Sequence, residues 1–348
     1  MGYYRFRHKF FISEHLHREV FHGGIGNVDA EKIFTRLGYK AIFFPAHFDF
    51  SIAGKFKRLF FLLKCFFTIP AGSIIVFQFP VLATMNRWLL AVLRVKGTRP
   101  ICFIADIDGI KDGDDRLLQK EIRQFKKYRY FIVHNESMRQ WLRERVPKSR
   151  ITMIGFFDFL AQPFTGQRSK SYNIVFAGNL EKSTFLEKLS PLTSAGKLHF
   201  LLYGPGSNSK MTSQPGVEFK GIFEPYTLPQ VLQGSFGLVW DGDSIDDCGG
   251  SLGRYMAYIS HHKLSLYIAA GLPLITAKKA ASASMVEGHG IGFAVNNLWE
   301  IEPIINTIDD ASYQQMCDNS KQLAKQITAG SYLPCALAVQ ENMINDDA

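Results

Sequence analysis

Short apolar runs rich in Val, Ile, Leu and Phe recur along this chain, each separated from the next by a stretch with helical spacing. In the first half, Lys9–Ile12, Ala41–Phe44, Ser73–Phe77, Ile101–Ile104, Tyr130–Val133 and Ile151–Ile154 read as strands. Asn27–Leu37, Phe56–Phe67, Met85–Val95, Arg116–Lys127 and Ser137–Arg145 read as the helices between them. A strand without polar alternation is buried on both faces. Strands that alternate with helices form a parallel sheet covered on both sides. The pattern therefore predicts an α/β protein and excludes all-helical and sandwich folds.

The alternation breaks once. Asp158 to Ser171 carries Pro163, Gly166 and a polar cluster without periodicity, as a linker does. It then restarts with strands at Asn173–Ala177, Leu198–Tyr203, Val217–Lys220, Phe236–Trp240, Leu272–Thr276 and Phe293–Val295. Helices at Leu228–Gln233, Leu264–Ala270 and Tyr313–Ile327 fit between or after them. The expected organisation is a first doubly wound domain over 1–157, a linker over 158–171 and a second doubly wound domain over 172–330. A terminal segment, 331–348, is expected to pack back on the first domain through a helix at Ala336–Ile344. A length of 348 residues suits two domains of ordinary size.

Five cysteines are scattered without Cys-x-x-Cys spacing, which argues against a zinc site or a disulfide scaffold and fits a reducing, cytoplasmic compartment. No run reaches the roughly 18 apolar residues of a membrane span. The net charge of +9 is unevenly placed. Residues 1–156 hold 27 Lys and Arg against 13 Asp and Glu; residues 157–348 hold 13 against 18. The basic first half calls for an anionic partner, either nucleic acid or an anionic membrane surface.

The segment Ser260–Ile275 (SHHKLSLYIAAGLPLI) reads as a loop, a helix, a tight turn at Gly271 and a buried strand. His262, Lys263 and Ser265 fall at the helix start, where backbone N–H groups lack internal partners and the dipole is positive. A lysine there suits a diphosphate. Upstream, Asp241 and Asp243 follow a strand, and Arg254 and Tyr255 follow a Gly-rich loop. Gly178, Asn179 and Lys182 lie past another strand, and Tyr203 and Gly204 at the end of a third. Such positions, at the carboxyl ends of strands, are where open α/β sheets bind ligands. Asp106-x-Asp108 and Asp241-x-Asp243 both spell a carboxylate pair that can hold a metal, but two doubly wound halves favour neutralising a diphosphate with Lys263 and helix N–H groups instead. No metal and no resident cofactor is expected.

Together these residues resemble a known family. GNVDAEKIFTRLGY, SIIVFQFP, FIADIDGIK, FIVHNESM and FDFL in the first half, then VFAGNLEKSTFL, LLYGPG and WDGDS…GRYMAYISHHKLSLYIAAGLPLI, resemble bacterial sugar-nucleotide glycosyltransferases of the GT-B fold. The group is that of β-1,6-galactofuranosyltransferases and accessory glucosyltransferases. The chain departs from its pattern at Ser260 and His261, where the family has Asn-Pro, and at Ala105, where it tends to have His. The resemblance implies two Rossmann-like domains facing a cleft, a UDP-sugar co-substrate on the second and a carbohydrate acceptor on the first. That acceptor is lipid-linked or protein-linked. Donor residues are then Gly178, Asn179, Lys182, Tyr203, Gly204, Asp243, Arg254, Tyr255, His262, Lys263 and Ser265. Gly24, Asn27, His134 and Asn135 are placed on the acceptor side. An inverting transferase needs a general base near the acceptor hydroxyl; Asp106 is the first choice, Asp108 and His22 the alternatives. No glutamates stand eight apart in the second half, which favours inversion over retention.

Lys55, Lys57, Arg58 and Lys64 interleave with Phe56, Phe60, Phe61, Phe66 and Phe67. The helix is either packed in the core, with its lysines snorkelling, or laid on an anionic membrane, which would put the protein on the inner face of the plasma membrane. A homo-oligomer is expected. Two other readings stand beside the transferase: a nucleic-acid-binding module, which lacks a fold signature, and a dinucleotide-dependent oxidoreductase, which lacks G-x-G-x-x-G after the first strand.

Overall fold

A computed structural model describes residues 8–15, 24–43, 51–81 and 84–347. His22 lies outside them. The first half forms a six-stranded sheet from β1 (Lys9–Ser13), β2 (Lys40–Phe43), β3 (Ile74–Phe79), β4 (Arg99–Ile104), β5 (Tyr130–Val133) and β6 (Arg150–Met153). The second forms another from β7 (Asn173–Ala177), β8 (His199–Tyr203), β9 (Val217–Gly221), β10 (Phe236–Val239), β11 (Leu274–Ala277) and β12 (Gly292–Val295). All pairings are parallel, in the orders β2-β1-β3-β4-β5-β6 and β12-β11-β10-β7-β8-β9. The central strands β3, β5, β10 and β11 are buried along their whole length, as uniformly apolar runs require.

The order of the second sheet places its ligand crevice. From β7 the chain winds outward through β8 and β9, then returns to the other side of β7 as β10 and winds outward through β11 and β12. Crossovers leave β7 and β10 on opposite sides, so their carboxyl ends open a gap. Gly178 follows β7 there, and Asp241 stands just beyond β10.

The two halves are bolted together at several points. The helix Tyr332–Asp346 packs on β5 and β6, its Leu333, Ala336, Leu337 and Ile344 joining the first half's core. Gln340 Nε2 donates to the Phe131 carbonyl at 2.7 Å, and Asp347 pairs with Arg150 at 2.7 Å. Asp158 accepts from the N–H groups of Tyr332 and Leu333 at 3.0 and 2.7 Å, capping this helix from the connecting segment. Burial raises the Asp158 carboxyl to about 6 despite those two donors. In the opposite direction, Tyr255 and Ile259 of the second half belong to the first half's core. Asp29, fully buried, accepts from Tyr226 Oη at 2.6 Å and Leu160 N at 2.9 Å across the same divide.

Candidate active site

The second half contributes one wall of the cleft. The helix His262–Ala269 begins at this crevice, and Lys263 Nζ reaches back over it, 3.1 Å from Asp241 Oδ1 and 4.1 Å from the centre of the Phe176 ring. His261 Nε2 holds the other oxygen of Asp241 at 2.8 Å. Burial alone pushes Asp241 upward, but the Lys263 ammonium and the His261 hydrogen bond outweigh it and hold the carboxyl well below the usual range. Gly178 has φ 150°, and a Cβ there would lie 3.1 Å from Lys263 Cε. At Gly204, φ 122°, a Cβ would meet the Gly178 carbonyl oxygen at 2.0 Å. Both positions need glycine because two strand-end turns and a lysine stem converge there. The cavity they border is about 180 Å³, with Asn179 on its rim and Phe159, Phe223, Pro225 and Leu228 as an apolar end.

The first half contributes the other wall. The helix Ile25–Arg36 starts at Gly24 in left-handed conformation, φ 82°, and no side chain caps its first turn. Gly24, Ile25, Gly26 and Asn27 line a second cavity of about 270 Å³, together with Ala105, Asp106, His134 and His261. An uncapped helix start at a cavity favours negative charge. Asp106, just past β4, accepts from Tyr255 Oη at 3.2 Å and pairs with Lys111 at 3.1 Å. Ile25 and His262 border both cavities, so they form the partition. A Cβ on Gly26 would lie 2.9 Å from His262 Cδ2, so the helix start packs on His262 too closely for a side chain at that position. Burial lowers the His262 imidazole's pKa, and its Nε2 is buried with no hydrogen-bond partner.

Comparison with known proteins decides what this cleft belongs to. Residues 9–155 match the N-terminal domain of the glucosyltransferase 3-like family, and residues 174–339 match its C-terminal domain. The chain belongs to this family. It is a sugar-nucleotide glycosyltransferase of the GT-B fold. It is 28% identical over 279 residues to the beta-1,6-galactofuranosyltransferase WbbI of Escherichia coli strain K12, covering 79% of this chain and 80% of that one. It is 22% identical to glucosyltransferase 3 of Streptococcus gordonii, over 88% of this chain and 90% of that one. Among solved structures, one described as trehalose-6-phosphate from E. coli bound with UDP-2-fluoro glucose superposes with a TM-score of 0.62. That match has 11% identity and covers 96% of this chain and 98% of that one.

Within this family member the residues singled out from sequence separate into three groups. Gly178, Asn179, Gly204, His262 and Lys263 line the first cavity, and Gly24, Asn27, His134 and Asp106 the second. Lys182, Asp243 and Arg254 are exposed and line neither. Ser265, Tyr255, Tyr203 and Asn135 stand otherwise than expected, while His134 and Asp108 are engaged in hydrogen bonds or ion pairs. Ser265 is fully buried and donates to the Phe157 carbonyl, so its hydroxyl does not face a diphosphate. Tyr255 was expected on the donor side, but its hydroxyl donates to Asp106 and accepts from Ile107 N at 2.7 Å, both in the first half. Tyr203 touches the cavity, but its ring is 1% exposed and its hydroxyl accepts from Gln233 N, so it has no free face for a base. Asn135 caps the helix Glu136–Arg145 and donates to Tyr258 O and Ser260 Oγ, which makes it an interdomain bolt. His134 uses both ring nitrogens, one on Ile104 O and one on Ser260 N, and burial holds its pKa down to about 4. Asp108 pairs with Lys111 at 2.5 Å and heads a short helix whose N–H groups bond Glu121.

Sequence reading missed Asp241 as the partner of Lys263, and the apolar end formed by Phe159, Phe223, Pro225 and Leu228. A signal for the latter was present: Ile222, Phe223 and Pro225 are apolar residues in a loop just beyond a strand's carboxyl end. Among the described residues, no three of His, Cys, Asp or Glu gather as a metal-binding group.

Proposed function

We propose that this enzyme transfers a sugar, galactofuranose, glucose or a similar hexose, from a UDP-sugar to a carbohydrate acceptor in surface polysaccharide or glycoconjugate synthesis. The observation that carries this reading is the first cavity. It has an apolar end, two glycines that bring backbone close to a ligand, and one ammonium held at its rim by a half-buried carboxylate. The uracil and ribose fill the apolar end. The diphosphate lies along Gly178 and takes Lys263 as its counter-charge, with the starts of the helices His262–Ala269 and Ile25–Arg36 on either side. The sugar then projects past the partition toward the second cavity.

The acceptor enters that second cavity. Its hydroxyl oxygen attacks the anomeric carbon from the face opposite the diphosphate, and the bond from that carbon to the phosphate oxygen breaks with its electron pair leaving on UDP. Asp106 takes the hydroxyl proton, oriented by Tyr255 and Lys111. The outcome is inversion at the anomeric carbon, without a metal. An acceptor carried on a lipid, and attachment of the enzyme to the inner face of the plasma membrane, belong to the same proposal. Among the described residues no helix is long and apolar enough to cross a membrane.

Incubation with a panel of UDP-sugars and lipid extract, in EDTA, tests the reading. One UDP-sugar should give product of inverted anomeric configuration by NMR. Loss of all transfer in EDTA, restored by manganese or magnesium, would return Asp241 and Asp243 to the role of metal ligands. Stabilisation by NAD or an oligonucleotide but not by UDP would remove the transferase reading of the site.

A further inference from the structure

The helix Ile52–Thr68 is apolar on two sides. Leu62 and Cys65 face the first half's core. Phe56, Leu59, Phe60, Leu63 and Phe67 recur at helical spacing on the outer side, and they are 50% to 76% exposed. The adjoining helix Thr84–Val95 repeats the arrangement. Leu89, Leu90 and Leu93 are buried, while Trp88 and Val95, seven residues apart and so on one face, are 61% and 85% exposed. The two helices pack against each other. A water-soluble surface seldom leaves this many large apolar side chains uncovered in one place.

The charged side chains of the two helices are all of one sign. Lys55, Lys57, Lys64 and Arg94 are exposed around it, and neither helix contains an Asp or a Glu. We propose that this two-helix face docks on an anionic lipid surface. Phe56, Phe60, Phe67 and Trp88 enter the boundary between headgroups and acyl chains, and the cations meet lipid phosphates. A second copy of the chain is a poor cover for the same face, because a symmetric contact would set cations against cations with no carboxylate on either helix to pair them. The location suits the chemistry. The helix Thr84–Val95 follows β3, and β3 ends at Phe79, whose carbonyl accepts from Ala105 N at 2.8 Å beside Asp106. The patch therefore belongs to the acceptor half. It deepens the lipid-linked acceptor of the proposed function and rests on that reading for its purpose, but its geometry stands independently.

Flotation of the full chain with vesicles tests it. Vesicles of roughly one-third phosphatidylglycerol in phosphatidylcholine should bind at least about tenfold more protein than phosphatidylcholine alone, and salt should weaken the binding. The pair Phe60→Ser and Phe67→Ser, and separately the pair Lys57→Glu and Lys64→Glu, should each lower binding by about tenfold or more while UDP affinity by calorimetry is unchanged. Equal binding to both vesicles, or none, overturns the proposal. So does a self-association in sedimentation that the phenylalanine pair abolishes and that vesicles do not compete with. Failure to bind UDP with flotation intact would count against the donor site and leave the lipid surface standing.

Discussion

The C-terminal wall of the cleft presents backbone and one cation, whereas the N-terminal wall presents a carboxylate held by two donors. On the first, Gly178 and Gly204 strip the surface of Cβ atoms, and Lys263 waits on Asp241. On the second, Asp106 is fixed by Tyr255 from across the cleft and by Lys111 from its own side. Charge divides the same way at larger scale, with a surplus of 14 cations in residues 1–156 and a deficit of 5 in residues 157–348. A wall of backbone and fixed charge suits a ligand whose anionic part is always the same. A wall carrying an oriented carboxylate suits the partner that must lose a proton.

The sharpest way to break this contrast is to remove the carboxylate. Asp106→Asn keeps the shape of the position and one acceptor oxygen but takes away the proton acceptor. It should lower kcat at least about a hundredfold, the lower end of a general-base loss, with UDP affinity by calorimetry unchanged. If Asp106→Asn stays active while Asp108→Asn or His22→Ala is dead, the N-terminal wall keeps its role with a different base.

Removing the cation tests the other wall. Lys263→Ala should weaken UDP binding by about 1.5–3 kcal/mol, the scale of a charge-assisted hydrogen bond. The variant also leaves the half-buried Asp241 with only His261 to balance it. Lys263→Ala combined with Asp241→Asn separates the two effects: it should recover thermal stability without recovering UDP affinity. Wild-type UDP affinity in Lys263→Ala would remove the donor assignment.

Tyr255 links the walls and should give a smaller effect on one side only. Tyr255→Phe removes the donor to Asp106 and the acceptor for Ile107 N without changing the packing of the ring. The loss should be about three- to tenfold in kcat, as for the one hydrogen bond of about 1 kcal/mol made to Asp106, with the Kd for UDP unmoved. A change in UDP affinity alone would return Tyr255 to the donor side.

The parallel sheets were legible in the sequence because strands buried on both faces leave contiguous apolar runs, as in β3, β5 and β10. Gly178 and Lys263 were legible because a strand end and a helix start are places with a known use. Ser265 and Tyr255 were not. A position in the first turn of a helix does not say which way the side chain turns, and Ser265 turns back to Phe157 while Lys263 turns forward to Asp241. Tyr255 depends on how the two halves meet, and no local pattern carries that. The exposed row of Phe56, Phe60 and Phe67 was visible as an amphipathic helix, but its apolar spacing is the same whether it faces core or solvent.

The walls should also part in their response to pH, with the smallest effect of the four. Behind the N-terminal wall, Glu121 accepts from Asp108 N at 3.0 Å and Gly109 N at 2.9 Å, and burial raises its carboxyl to about 7. A carboxyl whose folded pKa is raised contributes stability that is complete below its unfolded value and lost as pH rises through the folded one. Ionisation of Glu121 should therefore loosen the helix Asp108–Lys111 between about pH 5 and 8, by on the order of 1 kcal/mol. Asp241 runs the other way: its depressed carboxyl contributes stability present above the unfolded value and lost only as pH falls through the folded one. Amide exchange read at both walls measures the difference. Over neutral pH, protection should fall at Asp108–Lys111, after correction for intrinsic exchange, and hold at His262–Ala269. Glu121→Gln should flatten the first profile without touching the second. Equal slopes at the two walls would mean that the cleft opens as one unit and that the contrast between its sides is chemical only.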